Sequence, residues 1–153
     1  MKTDHWMKPD AVSIQSGSTV EAAAFKMSKL AVHHLIVLDG EKYCGMLDAR
    51  DLAGVWDRQM LVEKLVQTDV PMVDSFTDIK TVVELMVNHG FTAVALKRGQ
   101  HVSGVITVTD LVRLLAAKFS HPAGFSELVD KGKTFLSTPL LQELSRLLGA
   151  AGI

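Results

Sequence analysis

The segment Gly45-Met46-Leu47-Asp48-Ala49-Arg50-Asp51-Leu52 returns 59 residues later as Gly104-Val105-Ile106-Thr107-Val108-Thr109-Asp110-Leu111. The offset holds without a gap along the whole of each copy. Identical residues are few: Ser16/Ser75, Met27/Met86, Gly40/Gly99, Gly45/Gly104, Asp51/Asp110 and Leu52/Leu111. The pattern repeats more fully than the letters. Val20, Ala23, Ala24 and Met27 form an i, i+3, i+4, i+7 stripe, and Ile79, Val82, Val83 and Met86 repeat it. A chain written twice in this way must fold as two like units.

The punctuation around the stripes fills in each unit. Ser18-x-x-Glu21 reads as a capping box, and Thr77 followed by Asp78 reads as the second helix start. Short apolar runs follow at Leu35–Leu38 and Ala93–Leu96, then the turns Asp39-Gly40 and Arg98-Gly99. Second runs follow at Tyr43–Leu47 and Val102–Ile106. Each set predicts a β-hairpin. A helix starts at Asp48 or Thr107, and a short strand at Val12–Ile14 or Pro71–Val73 precedes the capped helix. The unit is strand, helix, strand, strand, helix. One such α/β (α+β) unit leaves a sheet face bare, so two are expected to pack about a pseudo-twofold axis. Met60, Leu61, Lys64 and Leu65 suggest that the stretch from Ala53 to Asp69 is largely helical.

The repeat does not account for the C-terminal extension, residues 119–153. Phe125, Leu128 and Val129 have helical spacing, and Thr138-Pro139 reads as an N-cap followed by proline at the first helical position. Leu140, Leu141, Leu144, Leu147 and Leu148 form a broad apolar face that Gly149 ends.

Composition narrows the class. Apolar residues make up 48% of the 153, enough for a core, and the formal net charge is −1, which argues against a nucleic-acid polymer as partner. The single cysteine, Cys44, fits a reducing compartment and reads as packing rather than as a nucleophile. Met1 to Asp10 is polar, with no signal-peptide core, and no run approaches the ~20 residues of a membrane span. A soluble cytoplasmic protein is expected. Met27 and Met86 read as core, while Lys97-Arg98 and Lys131-x-Lys133 read as solvated clusters. No nucleophile–base pair or phosphate loop emerges, and His33-His34 lacks metal partners at usual spacing. An enzyme is not expected, nor a metal or a required cofactor.

With the doubled Gly-x-x-Thr-x-x-Asp-like motif, the matching helices and hairpins, and Trp6-Met7-Lys8-Pro9-Asp10-Ala11-Val12 before the first strand, the chain resembles a tandem pair of cystathionine-β-synthase (CBS) domains, a Bateman module. The likeness spans roughly residues 5 to 118, with copies at 5–58 and 59–118. The resemblance implies ligand sensing: AMP, ADP, ATP or S-adenosylmethionine bound in clefts between the copies, homodimerisation, and control of an effector protein not encoded here. It also implies that each cleft joins the Thr-x-x-Asp of one copy to the first-strand entry and second strand of the other. The better cleft then combines Thr107 and Asp110 with Pro9, Asp10, Ala11, Val12, Val32, His33 and His34. The other combines Asp48 and Asp51 with Pro71, Phe91 and Thr92.

The chemistry distinguishes the two. The Asp110 carboxylate can accept from both hydroxyls of a ribose, and Thr107 can donate or accept beside it. A helix N-terminus there favours an anion. Asp48 caps a helix as well as threonine does but adds a charge. A phosphate ~5 Å from that charge is repelled by ~3 kcal/mol at an effective dielectric of ~20. Arg50 can offset the repulsion if it turns inward. The Asp48/Asp51 cleft is therefore expected to lack nucleotide or to take something else. The competing reading is a module kept for dimerisation and protein contact, with the leucine-rich extension as its docking element.

Overall fold

Each copy builds one three-stranded sheet with helices against it. A computed structural model describes residues 12–119, with side chains through 116. The first copy runs β1 (Ser13–Gln15), α1 (Val20–Leu30), β2 (His34–Asp39), β3 (Lys42–Asp48) and α2 (Ala49–Ala53). The second runs β4 (Met72–Asp74), α3 (Ile79–His89), β5 (Ala93–Arg98), β6 (His101–Thr107) and α4 (Val108–Phe119). In each sheet the first strand pairs parallel with the second, which pairs antiparallel with the third. The two short first strands lie about one residue later than the apolar pattern suggests.

The 59-residue period extends to the irregularities. The hairpin register slips between Val37 and Leu38 in one copy and between Leu96 and Lys97 in the other. Both slips leave an extra residue, Cys44 or Ser103, just before a glycine. The helices α1 and α3 end at Ala31 and Gly90, both in the left-handed region. Their stripes point inward: Val20, Ala23 and Met27 are buried, as are Val82, Val83 and Met86.

Both helix caps lie one residue beyond the expected position. Thr19, not Ser18, is the N-cap of α1 and accepts from Ala22 N–H at 3.2 Å. Asp78, not Thr77, caps α3 and accepts from Lys80 N–H at 2.9 Å. Ser18 is taken up by the preceding turn, where its N–H donates to Gln15 O at 2.9 Å. Thr77 N–H does the same to Asp74 O.

The stretch from Ala53 to Asp69 is not largely helical. A short 3₁₀ turn at Val62–Lys64 is its one helical element beyond the end of α2. Its backbone has other work. Met60 O and Arg58 O accept the N–H groups of Val20 and Glu21, two of the donors that a helix start leaves without intrahelical partners. Gln67 and Met46 exchange a pair of backbone bonds at 2.8 and 3.1 Å. Val62 is buried in the first copy's core, with Met60, Leu65 and Val66 packed against that core. The segment that opens the second period thus packs on the first copy.

The copies share a core. Ile36 and Met46 belong to the first sheet yet lie in one cluster with Val94, Leu96, Ile106 and Met86 of the second copy. Burying such a side chain is worth roughly 1.5–3 kcal/mol. The Tyr43 hydroxyl adds a polar tie, donating to Val70 O at 2.8 Å. Burial first, and the Asp69 charge second, push the Tyr43 phenol up to about 12, so it remains a donor throughout the neutral range.

Gly45 lets the Gln67 backbone approach. Its φ is +153°, and a Cβ there would run into the Gln67 carbonyl and the Val66 side chain. A Cβ on Gly17 meets nothing within 4 Å. Gly45→Ala is expected to lower stability by about 1–3 kcal/mol in urea unfolding. Gly17→Ala should remain within about 0.5 kcal/mol of the parent.

Candidate functional site

The two strand-to-helix junctions share one backbone device. Asp51 Oδ2 accepts the N–H of Asp48 at 3.0 Å, and Asp110 Oδ2 accepts the N–H of Thr107 at 3.0 Å. The residue before each second strand also gives its carbonyl to the new helix: His33 O to Ala49 N–H at 2.8 Å, and Thr92 O to Val108 N–H at 3.0 Å. Each junction is thereby bound to the far end of its own hairpin.

The side chains then diverge. At the first junction Asp48 is buried, 5% exposed. It caps α2, accepting from Arg50 N–H at 2.9 Å and from the Asp51 N–H. The Arg50 side chain turns back onto the same carboxylate, with Nε 3.3 Å from both oxygens and Nη2 2.9 Å from Oδ2. Thr92, from the other copy, donates its hydroxyl to Asp48 Oδ2 at 3.1 Å. His34 faces Asp48 in hairpin register; its Nε2 lies 3.3 Å from Asp48 Oδ2 and 3.2 Å from Thr92 Oγ1. Gln67 Nε2 donates to Asp51 Oδ2 at 3.0 Å.

Burial alone would raise the Asp48 carboxyl. Hydrogen bonds from His34, then from the Arg50 side chain and backbone, overcome it and hold the group well below the usual carboxylate range. The same contact with Asp48 raises the Arg50 guanidinium above its ordinary value. The extra charge that sets this copy apart is therefore compensated within the protein.

The second junction carries a smaller constellation. Thr107 Oγ1 donates to Asp110 Oδ2 at 2.7 Å and accepts from Asp110 N–H at 3.2 Å. Arg113 Nη1 stands 3.8 Å from Asp110 Oδ1. The counterparts of Arg50 and His34 are the exposed Thr109 and the buried Ala93. No guanidinium or imidazole is built in at those two positions.

Among the other expected residues, Phe91 is buried and stacks on His89 with ring centroids 5.4 Å apart, and Pro71 is exposed. Thr92 is the residue of that group which reaches Asp48. His33 is exposed and Val32 half-buried. The His34 ring meets Asp48 and Thr92, not the Thr107/Asp110 junction expected from the sequence. Its offset from Asp48 explains this: strand register sets the two directly across the hairpin. The period makes His33, not His34, the counterpart of Thr92, and hence of the residue that crosses to the other copy. Val12 is half-buried against the first core. Pro9, Asp10 and Ala11 lie outside the described residues. Gln67, which fixes Asp51, carried no signal in the sequence.

A family model described as the CBS domain matches residues 3–57 and 62–117. The chain belongs to the CBS domain family. A curated relative, an uncharacterized 17.7 kDa protein of Acidianus ambivalens, is 27% identical over 119 residues, covering 72% of this chain and 73% of the relative. The CBS domain pair of protein MJ0100, solved with 5'-methylthioadenosine and S-adenosyl-L-methionine, superposes with a TM-score of 0.72 and 19% identity, over 77% of this chain and 98% of that one. The cytosolic domain of the Mg²⁺ channel MgtE, solved with ATP, is 26% identical with a TM-score of 0.62, over 71% of this chain and 46% of that one. The chain is thus a CBS pair, and CBS pairs are regulatory ligand-binding modules. Among the described residues, no helix is long and apolar enough to cross a membrane, and no group of three or more His, Cys, Asp or Glu could hold a metal.

The Asp48 cluster has a measurable pH signature. Its carboxyl is depressed on folding, so the stability it contributes is present above the unfolded value near 3.9 and is lost as pH falls toward the folded value. Asp48→Asn keeps a capping side chain but removes the charge. It should cost about 1–3 kcal/mol at pH 7, and the gap to the parent should close as unfolding is measured below about pH 4. A gap independent of pH would contradict the ionic account.

Proposed function

We propose that this CBS pair is a regulatory sensor for an adenosine-containing ligand, AMP, ADP, ATP or S-adenosylmethionine, bound mainly at the Thr107/Asp110 junction. The observation that carries the reading is the contrast between the junctions. Thr107 and Asp110 form a hydroxyl–carboxylate pair in a strand-to-helix bend, next to which a neutral diol can share the carboxylate. Asp48 instead is held by Arg50, His34 and Thr92, so a ligand there must displace an ion pair and a hydrogen bond between copies. Relatives solved with S-adenosylmethionine and with ATP support the ligand class.

In this reading His33, Val32, Val12 and the Pro9–Ala11 entry complete the second cleft from the first copy. The protein acts without chemistry of its own, as a cytoplasmic homodimer that passes its ligand state to an effector. A second reading, a module for protein contact, is favoured by the closed first junction and by an exposed apolar groove on α1.

Thermal unfolding with each of the four ligands separates these readings. A ligand at 100 times its Kd should add about 2.7 kcal/mol to stability. Asp110→Ala lowers the unliganded baseline by removing a cap bond, but the decisive quantity is the ligand-induced increment, which should vanish in that variant. If none of the four ligands shifts the parent protein, the sensor reading fails for them.

A further inference from the structure

The exposed face of α1 differs from that of α3 in a way the repeat makes legible. Ile14, Ala22, Phe25, Lys26, Lys29 and Leu30 line an open groove of about 390 Å³. Phe25 is 67% exposed and Leu30 47%. At the equivalent positions α3 carries Thr81, Glu84, Leu85, Asn88 and His89, and Glu84 pairs with Lys80 at 3.8 Å. The fold is content with a solvated, charged surface there, and the second copy has one. The first copy places a phenylalanine and a leucine in water with lysines beside them. Two large apolar side chains together at one groove mark a covered surface more than scattered exposure does.

The chain carries a segment of matching character. In the helical period of residues 139–148, Leu140, Leu141, Leu144, Leu147 and Leu148 fall on one face. Glu143, the one acidic residue of that stretch, falls at the edge of that face, and Arg146 falls on the back. The rim of the groove is basic: Lys29 is exposed, and Lys26 donates to Ser13 O at 2.6 Å. Length is no obstacle. Twenty residues separate Phe119 from Leu140. At about 3.3 Å per residue they reach up to roughly 70 Å, several times the ~13 Å radius of gyration of a domain this size.

We propose that the leucine face of residues 140–148 docks in the α1 groove of its own chain, over Phe25 and Leu30, with Glu143 beside Lys29. The match rests on three features together: an apolar groove present in one copy, an apolar stripe that the repeat does not account for, and opposite charges at their edges. A tail seated there would cover the first copy's outer helix while leaving the Thr107/Asp110 junction untouched.

Hydrogen exchange on the full-length chain, followed by mass spectrometry across a dilution series, tests the proposal. Amides of 140–148 should be protected on the order of tenfold or more, independently of protein concentration. Phe25→Glu, which adopts the residue found at the equivalent position of α3, should remove that protection and leave the amides of β2 and β5 unchanged. Lys29→Glu should weaken protection, and adding Glu143→Lys should restore it. An unprotected segment in the parent, or protection that survives Phe25→Glu, would overturn the proposal. Protection lost on dilution would also overturn it, assigning the groove or the tail to a second copy.

Discussion

Asp51 and Asp110 each turn a carboxylate back onto the N–H three residues earlier, at the point where the last strand of a sheet becomes a helix. The bond closes the helix start, and the neighbouring carbonyl of His33 or Thr92 closes the next donor. With those bonds made, the residue at the bend, Asp48 or Thr107, is fixed in direction, and Asp48 meets Thr92 of the other copy. Its side chain then decides what the junction can do. The scaffold is duplicated; the chemistry at the bend is not.

That divergence follows from electrostatics more than from shape. A lone second carboxylate at the first bend would repel a phosphate. The protein does not leave it alone: Arg50 folds back over it, His34 meets it across the hairpin, and Thr92 reaches it from the other copy. Compensation lowers the repulsion expected from the bare sequence, but it also consumes the acceptors. A ligand gains little by entering a cluster whose charge is satisfied and whose members hold the copies together. Thr107 presents no such charge, and the apolar Ala93 replaces the imidazole. In the proposed reading the second bend is therefore the host for a sugar diol.

The repeated stripes, hairpins and bends were all readable because they recur at one offset with periods of 3.6 and 2. The helix caps lie one residue beyond the expected position in both copies alike, since Ser18 and Thr77 are drawn into the turn and the next residue points its oxygen at the helix. The Ala53–Asp69 segment defeated the periodicity for a different reason. Its carbonyls are spent on α1 and its Gln67 on the first bend, which are long-range partners that no local pattern announces. Arg50 was visible as a charge near Asp48, but not its direction. The placement of His34 needed only the hairpin register, which sets it opposite Asp48. The CBS resemblance supplies the expectation of an adenosine-containing ligand, which residue types alone leave open.

The most direct test is the number of ligand molecules bound per chain. Equilibrium dialysis of the intact protein against saturating AMP, ATP and S-adenosylmethionine in turn measures it. The account predicts one molecule per chain for the ligand that binds, lost in Asp110→Ala. Two per chain, or one that survives Asp110→Ala, would contradict the assignment of a closed first junction and a competent second.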